Sequence, residues 1–348
     1  MEEAVAMAGV TATAKAIIAQ ALDWAVSGRQ VALATVVSTW GSSPRPAGSQ
    51  LVINDRGEFA GSVSGGCVEG AVIDQCRKIF GTGGAQILEY QVADEQAWEV
   101  GLTCGGKVSI LINALMDVTA LQTLHACLKQ RQVALLMTHC ESGAQATVTA
   151  STPSREFPDM DHPEQLQQRL GNGVSGLVSS PGGQWHVRVF PPSFRLVVVG
   201  AVHIAQVLVP MARLAGLDVT LIDPRAAFAN AVRFPDTRIV TDWPDRYFQD
   251  QPADATTAVV LLSHDPKIDD PALIATLDSP APYLGALGSR KTHSRRLARL
   301  AAAGVDAKVA KRIHAPIGLD LGGQKPEDIA IAILAEIVSV RATAGLRP

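Results

Sequence analysis

The sequence predicts a two-domain α/β protein, in which an N-terminal α+β domain precedes a Rossmann-like domain with a doubly wound parallel sheet. The chain has 348 residues, which is more than about twice a typical domain length. Pro191-Pro192-Ser193 is typical of a linker, because two prolines end regular structure and resist compaction. Beyond it, apolar strands alternate with glycine turns and helices. We therefore expect domains at 1–190 and 195–348, joined by 191–194.

Composition excludes several classes of protein. Hydrophobic residues make up 47% of the chain and charged residues 18%, as in ordinary globular proteins. The net charge of −3 gives no basic surface for nucleic acid or an anionic membrane. Five cysteines at irregular spacing do not form a disulfide framework. The acidic start and the lack of a long apolar run predict no signal peptide and no membrane span, so we expect a cytoplasmic protein.

The N-terminal domain opens with an amphipathic helix and continues as strands and helices around two glycine-rich segments. Helices are predicted at 11–27, 68–80 and 119–129, with a short acidic helix between 92 and 101; strands are predicted at 30–39, 50–54, 58–62, 86–92, 107–114 and 132–138. The stretch 145–193 is polar and rich in Gly and Pro, and we expect it to hold only short strands such as 185–190.

The glycine-rich stretch 61–70 carries one thiol, Cys67, where a helix is predicted to begin. Glycines let the backbone turn tightly and approach a ligand, and a helix N-terminus favours an anion such as a thiolate. Cys67 can equally be a small buried apolar residue at a tight turn. A second glycine-flanked cysteine, Cys104 in the stretch 101–106, favours a functional role for the pair.

Other candidate motifs in this domain are weaker or fail. Arg45 lies between two prolines and is either an anion contact or a solvated loop residue. Gly101 to Lys107 resembles a phosphate-binding P-loop, but Val108 replaces the required Ser or Thr and a strand is predicted to follow. No paired Cys or His spacing indicates a zinc site. The remaining cysteines lie in apolar contexts that predict core positions: Cys76, Cys127 and Cys140.

The C-terminal domain begins with a Rossmann βαβ pattern. The strand 195–199 leads to a glycine turn, a helix to residue 215 and the strand 218–222, which ends at Asp223, the distance expected of a ribose-binding acid. Val202 replaces the second fingerprint glycine, where a side chain would crowd a pyrophosphate, and Ala205 replaces the third. Further strands are predicted at 257–262 and 283–287, and further helices at 271–277, 290–302 and 325–341. The fold signal is thus stronger than the dinucleotide signal.

Ligands of open parallel sheets bind beyond the carboxyl ends of the strands. The candidate cofactor-binding residues there are Gly200, His203, Asp223, His264, Asp265, Gly288, Ser289 and Arg290. The Gly288-Ser289 turn before a helix suits an anion such as a phosphate. His203 can instead cap or pack the helix. The basic residues that follow, Lys291, Arg295, Arg296 and Arg299, are predicted to form a solvated helix face.

Four segments together resemble the XdhC/CoxI family, the accessory proteins of molybdenum enzymes of the xanthine dehydrogenase type. These segments are 39–46, 62–69, 101–106 and 314–320, and residues 285–290 resemble the family's C-terminal domain. The resemblance extends from about residue 14 to 341, with little of it in 145–193. It implies that the protein binds the mature molybdenum cofactor, supports exchange of an oxo for a sulfido ligand, and delivers the cofactor to an apo molybdenum hydroxylase. It also implies a cysteine desulfurase partner and a homodimer.

The resemblance also suggests roles for individual residues. Cys67 would be a molybdenum ligand or sulfur carrier and Cys104 its partner, since thiolates suit a thiophilic metal and persulfide transfer. The cofactor would contact the glycine loops through Gly65, Gly66, Gly105 and Gly106, with Arg45 and the Arg290 loop holding its phosphate. Two alternatives stay open: an NAD(P)-dependent oxidoreductase, indicated by the Rossmann pattern, and a non-catalytic assembly scaffold.

Overall fold

The computed structural model describes residues 13–41, 45–66, 68–91, 106–152 and 164–344. The chain divides into two compact units between Pro192 and Ser193. In the described residues, no helix is both long enough and apolar enough to cross a bilayer. The predicted acidic helix between 92 and 101 lies outside the described residues.

The first unit contains an antiparallel five-stranded sheet in the order β3-β2-β1-β5-β4. The strands are β1 (Val31–Trp40), β2 (Gln50–Asn54), β3 (Phe59–Gly61), β4 (Ala85–Gln91) and β5 (Lys107–Ala114). The first seven residues of β1 are all buried, because helices and loops cover both faces of this central strand. Strand β5 matches its predicted bounds, so the Lys107 segment enters a strand rather than the helix that a P-loop requires.

Helices pack on both faces of this sheet. Helix α1 (Ala14–Val26) is capped by Thr13, whose hydroxyl accepts the N–H of Ala16 at 3.2 Å. It packs with α3 (Thr119–Lys129) in one apolar cluster, whereas α2 (Glu69–Ile79) packs in another with β1 and β5. The apolar positions of each helix recur at helical spacing, which is why one stripe of each is buried.

The stretch 145–193 forms more regular structure than the sequence predicted. Strands β6 (Ala134–His139), β7 (Gln145–Thr149), β8 (Gly176–Ser180) and β9 (Gly183–Phe190) make an antiparallel sheet in the order β7-β6-β9-β8, with helix α4 (Glu164–Asn172) beside it. A separate apolar core of this sheet includes Leu135, Val187 and Leu166. The expected short strands are present, including the one predicted at 185–190, whereas helix α4 was not predicted.

The second unit is a six-stranded parallel sheet in the order β12-β11-β10-β13-β14-β15, the order of a Rossmann fold. The strands are β10 (Arg195–Val199), β11 (Asp218–Ile222), β12 (Arg238–Val240), β13 (Thr257–Leu261), β14 (Tyr283–Ala286) and β15 (Ile313–His314). The helices are α5 (His203–Leu214), α6 (Pro244–Asp250), α7 (Pro266–Thr276), α8 (Arg290–Ala302), α9 (Ala307–Ala310) and α10 (Pro326–Thr343). Two apolar clusters cover the two faces of the sheet, so the predicted doubly wound architecture is confirmed.

Two sequence predictions for this unit were wrong in detail. Helix α7 begins five residues before the predicted start, because Asp265 accepts the N–H of Lys267 as its N-cap and Pro266 takes the first helical position. The basic face of α8 is not uniformly solvated. Arg296 is buried and Arg299 pairs with Asp270 at 2.5 Å. Short elements such as β12, α6 and β15 were not predicted, since they contain too few residues to show a period.

Candidate functional site

Three strands of the five-stranded sheet, β1, β3 and β5, adjoin the signature segments in the sequence. Strand β1 ends at Trp40, which pairs with Lys107, the first residue of β5. Strand β3 ends in the same direction at Gly61 and leads into the glycine-rich turn. Among the described residues, the end of β1 and the start of β5 are thus direct neighbours, and β3 runs in the same direction as β1 but ends level with Ala34.

Apolar side chains fix the glycine-rich turn, whose described residues are 62–66 and 68, to the sheet. Val63 and Val68, near the two ends of the turn, are both fully buried. They share an apolar cluster with Val36 of β1 and Val108 of β5. Val108 lies two residues after Gly106, so the described part of the second glycine segment adjoins the same cluster. Burial of this kind stabilises by about 25 cal/mol per Å² of apolar area.

Arg45 connects the proline-containing segment to the turn. Its Nε donates to the carbonyl oxygen of Ser62 at 3.4 Å. The chain around it folds back onto β1, where the N–H of Gly48 donates to the carbonyl of Val36 at 2.8 Å. Ser42, Ser43 and Pro44 lie outside the described residues. Arg45 therefore lies beside the first residue of the turn, where the sequence placed a candidate anion contact.

The N–H groups of the turn converge on one carboxylate, that of Glu69, the first residue of α2. Its Oε1 accepts the N–H groups of Val63 at 3.2 Å, Ser64 at 2.9 Å and Gly65 at 2.9 Å, and the hydroxyl of Ser62 at 2.7 Å. Its Oε2 accepts the N–H of Gly66 at 2.7 Å and the hydroxyl of Ser64. The turn is an anion-binding nest, and its anion is supplied by the chain itself.

These hydrogen bonds hold Glu69 in its ionised form. Burial alone would raise the pKa of Glu69, but hydrogen bonds from the Ser64 and Ser62 hydroxyls and from the N–H groups of Ser64 and Gly66 outweigh it. The resulting pKa is about 2, against an ordinary value of 4.5. Val68, the residue before α2, makes no side-chain cap, so the sequence carries no capping-box signal that would mark Glu69 in advance.

The two thiols of greatest interest, Cys67 and Cys104, lie outside the described residues, as does Gly105. Both chain neighbours of Cys67 are described. Gly65 and Gly66 adopt φ values of 78° and 117°, which L residues rarely accept, and a Cβ built on Gly66 would meet no atom of the described residues within 4 Å. The backbone beside position 67 is thus open on the side of Gly66.

The other three cysteines are buried free thiols, as predicted. Burial raises the pKa of the Cys76 thiol to about 12 and also raises those of Cys127 and Cys140. Thiols of this kind are unreactive at neutral pH, because the thiolate is the nucleophile and the ligand. They serve as matched controls for experiments on Cys67.

In the second unit, the predicted residues follow the carboxyl ends of four adjacent parallel strands. Gly200 comes directly after β10 with φ of 108°, and a Cβ there would lie 2.5 Å from the backbone nitrogen of Ser263. His203 is an exposed residue at the start of α5. Gly200 thus allows the close approach of two neighbouring chain segments, which no other residue would permit.

Asp223 is fully buried and both of its carboxylate oxygens are engaged. Oδ2 accepts the N–H of Ala201 at 2.8 Å and Nη2 of Arg225 at 2.7 Å, while Oδ1 accepts Nε of Arg225 at 2.8 Å. Burial raises the pKa of Asp223, but the hydrogen bonds from Arg225 and Ala201 lower it more strongly. A ribose diol needs a free acceptor at this position, so the carboxylate is not available for that role in this structure.

The remaining predicted residues of this edge have local structural partners. His264 is exposed with φ of 60°, and Asp265 caps α7. Gly288 has φ of 134°, and Ser289 caps α8 by accepting the N–H of Thr292 at 3.2 Å. Arg290 is an exposed first residue of α8. They share an edge of the sheet, as predicted for the carboxyl ends of parallel strands.

A buried charge pair beneath this edge was missed by the sequence analysis. Arg296 donates to the carbonyl of Leu287 at 2.8 Å, and its Nη2 lies 3.7 Å from the carboxylate of Asp269. Asp269 also accepts the hydroxyl of Ser263 at 2.6 Å. Burial raises the pKa of Asp269 and lowers that of Arg296. No sequence signal separates Arg296 from its exposed neighbours except its position on the inner face of α8.

The segment 314–320 is held by Glu336 of α10. Glu336 accepts the Tyr283 hydroxyl at 2.5 Å and the N–H of Gly318 at 2.8 Å, and its other oxygen lies 2.9 Å from Nδ1 of His314. The rings of Tyr283 and His314 are 4.6 Å apart. One carboxylate therefore links β14, β15 and the segment to α10, which gives the segment a defined structure.

In the part of the chain that the structure describes, no three His, Cys, Asp or Glu residues come together in a group that would hold a metal ion. A cavity of about 160 Å³ lies at the start of β1 and is lined by Arg29 and Met116. A second, of about 330 Å³ in the other unit, is lined by Leu321, Asp328 and Ile331. Neither is lined by the glycine-rich turn.

Two family models match the sequence. The model described as the XdhC and CoxI family matches residues 24–91, which include β1 to β4 and the glycine-rich turn. The model described as the XdhC Rossmann domain matches residues 196–337, which include β10 to β15. Each match falls within one of the two compact units.

Whole-length relatives agree with these matches. The chain is 29% identical to a molybdenum cofactor insertion chaperone, PaoD, of Escherichia coli (strain K12), over 94% of this chain and 88% of that protein. It is 24% identical to a probable xanthine dehydrogenase subunit of Bacillus subtilis (strain 168), over 90% and 93%. A crystal structure named as a xanthine dehydrogenase from Bacillus halodurans shares the fold, with a TM-score of 0.73, 22% identity and coverage of 94% and 96%.

Proposed function

Because the chain belongs to the XdhC and CoxI family, we propose that it is a chaperone of the molybdenum cofactor. In this proposal the mature cofactor is the cargo, which the protein binds, keeps during the exchange of an oxo ligand for a sulfido ligand, and delivers to an apo molybdenum hydroxylase. A cysteine desulfurase would supply the sulfur, and the protein would act as a homodimer in the reducing cytoplasm. The name of the Escherichia coli relative, a molybdenum cofactor insertion chaperone, supports a chaperone role.

The position of the described strand ends supports the proposal. Strand β1 ends beside the first residue of β5, and β3 runs in the same direction as β1; the segments that continue from these strands carry the residues predicted to matter, Arg45, Cys67 and Cys104. A soft thiolate suits a thiophilic metal and the transfer of persulfide sulfur. We assign Cys67 as ligand or sulfur carrier and Cys104 as its partner.

The chemistry of the turn limits how it would hold the cargo. Its four N–H groups already donate to Glu69, so they are not available to bind the phosphate of the pterin. Gly66 instead offers an open backbone surface, and the guanidinium of Arg45 beside Ser62 supplies a positive charge. The cargo would therefore be bound by thiol, backbone surface and Arg45, with Glu69 remaining in place.

The experiment that tests the proposal measures molybdenum and pterin bound after incubation with mature cofactor and desalting. Near-stoichiometric retention is expected for the wild type and loss of retention for Cys67→Ala. Cys127→Ala is the matched control, because Cys127 is a buried thiol of a helix on another part of this unit. Equal retention by Cys67→Ala and the wild type would remove the thiol from the binding step, and no retention by the wild type would overturn the carrier role.

Activation of a client enzyme separates carrying from sulfuration. We expect Cys104→Ala to retain cofactor and yet deliver it to an apo molybdenum hydroxylase without restoring activity, because sulfur transfer would need the second thiol. Thiol labelling of the native protein distinguishes a chaperone from an inert scaffold: rapid modification of Cys67 with slow modification of Cys76 supports the chaperone, and equal resistance of both supports the scaffold.

A further inference from the structure

The glycine-rich turn has a resident anion, and this determines what the turn can do. Six hydrogen bonds reach the Glu69 carboxylate from residues 62 to 66, four of them from consecutive backbone N–H groups. Consecutive N–H groups that point to one centre are the usual recognition element for a phosphate or carboxylate. Here that element is saturated from within the chain.

The hydrogen bonds also fix the backbone on both sides of position 67. On one side, the N–H of Gly66 donates to Glu69 Oε2 at 2.7 Å. On the other, the N–H of Val68 donates to the hydroxyl oxygen of Ser64 at 2.9 Å, and that same hydroxyl donates its proton to Glu69 Oε2. Both chain neighbours of Cys67 are therefore tied to a single carboxylate, directly or through one hydroxyl.

We propose that Glu69 is a positioning residue for Cys67: it serves as the internal anion that keeps the turn in its shape without a ligand. The proposal rests on the role of Cys67 in the function proposed above. Without the carboxylate, the N–H groups of Val63, Ser64 and Gly66 would lack their acceptor and that of Gly65 would keep only the Ser62 hydroxyl, at 3.0 Å. The positive φ values of Gly65 and Gly66 would then lose most of their support. The backbone on both sides of position 67 would then no longer be held by these hydrogen bonds.

A carboxylate from solution should replace the missing side chain, and this makes the proposal testable. Glu69→Ala leaves the N–H groups in place and removes their anion. We expect this variant to melt at a lower temperature than the wild type, and sodium formate to restore part of the loss relative to sodium chloride at equal ionic strength. Asp74→Asn is the control, because Asp74 is an exposed carboxylate on the same helix whose described partner is Arg77.

The position of Cys67 is followed by its alkylation rate at a fixed pH, with the modified cysteine identified by peptide mapping. We expect the rate in Glu69→Ala to differ from that of the wild type by about threefold or more, because local opening of the turn changes access to the thiol. Formate should return the rate towards the wild-type value. Asp74→Asn should alkylate Cys67 at the wild-type rate.

Three results would overturn the proposal. The first is an unchanged rate of Cys67 alkylation in Glu69→Ala, which would mean that Glu69 stabilises the fold without positioning Cys67. The second is a change that formate does not reverse. The third concerns inorganic phosphate as a competing anion. If phosphate slowed the alkylation of Cys67 equally in the wild type and in Glu69→Ala, Glu69 would not occupy the nest. None of these measurements uses the molybdenum cofactor, so their failure is distinguishable from failure of the proposed function.

Discussion

The guanidinium of Arg225 donates two hydrogen bonds to the carboxylate of Asp223, from Nε at 2.8 Å and from Nη2 at 2.7 Å. Asp223 has no exposed surface, and its second oxygen also accepts the N–H of Ala201 from the glycine turn after β10. The acid that a nucleotide-binding Rossmann fold would offer to ribose is here part of the internal structure of the unit. Two predictions follow from this pair, one on stability and one on ligands.

Arg225→Ala should lower the free energy of unfolding of the second unit by about 3 kcal/mol, because it leaves a buried carboxylate without its cation. Arg295→Ala, which truncates an exposed arginine in the same unit, should change it by less than about 0.5 kcal/mol. Urea unfolding of both variants measures the difference. Equal stability of Arg225→Ala and the wild type would show that the pair contributes nothing.

Neither NAD nor NADP at millimolar concentration should raise the melting temperature. A ligand that binds only the folded state stabilises it in proportion to RT ln(1 + [L]/Kd), and the engaged carboxylate of Asp223 together with the Val202 side chain removes two contacts that a dinucleotide needs. A rise of several degrees with either nucleotide would restore the oxidoreductase alternative. ADP-ribose serves as the comparison, since it lacks the nicotinamide ring.

Gly200→Ala should destabilise the second unit by about 3 kcal/mol. A Cβ at this position would lie 2.5 Å from the backbone nitrogen of Ser263 and would also have to accept φ of 108°, so strain and a backbone clash combine. Gly304→Ala is the matched control. Gly304 has φ of 88° but open space around it, and only the conformational cost of about 1 kcal/mol applies. Similar losses in the two variants would mean that the close approach at Gly200 is not rigid.

Tyr283→Phe should cost about 2 kcal/mol, because the hydroxyl hydrogen-bonds the Glu336 carboxylate. Burial is the main reason that the pKa of Tyr283 is raised, and the hydrogen bond to Glu336 adds to it. Tyr247→Phe provides the contrast: among the described residues, the Tyr247 hydroxyl is buried without a partner, so its removal should be neutral or stabilising. Thermal unfolding of the pair tests this, and a larger loss from Tyr247→Phe would contradict the assignment.

Lowering the pH should destabilise the first unit through His186. Burial, and secondarily the charge of Arg188, lowers the pKa of His186 from 6.5 to about 4. Between these values the unfolded chain binds a proton that the folded protein does not, so stability is lost as the pH falls through that window. The full loss is on the order of 3 kcal/mol. His186→Leu should remove this part of the pH dependence, and parallel pH profiles for variant and wild type would contradict it.

Local sequence patterns predicted most strands of the five-stranded and six-stranded sheets. They did not predict which groups the polar side chains contact. Strands β5, β10 and β11 have the predicted bounds, because each is an apolar run between turn signals. The parallel arrangement of β10, β11, β13 and β14 follows from the βαβ rhythm, whereas the short strands β12 and β15 were not predicted. In the second sheet of the first unit, β6 and β9 lie at predicted strands, whereas β7 and β8 were not singled out because each buries only one side chain.

The site residues were predicted by type and position, but their environments depend on tertiary contacts. Asp223 was recognised as the acid at the end of β11, whereas its saturation by Arg225 and Ala201 requires the glycine turn to fold over it. Arg296 has the same sequence context as Arg295 and differs only in facing the sheet. Glu69 was part of a recognised segment without a role, because the six donors that reach it become visible only when the turn is folded.

The pairing of β1 with β5 has a consequence for the interpretation of related sequences. Strand β5 pairs with β1 across an interval that contains β2, β3, α2 and β4, so strands that are distant in the sequence become neighbours only in the folded sheet. A lone match to the Gly65-Gly66-Cys67 motif in an unrelated protein therefore gives no reason to expect the same chemistry. The informative signature is an ordered set of segments spaced as a folded sheet requires, and a search of genomes should use that whole set as its criterion.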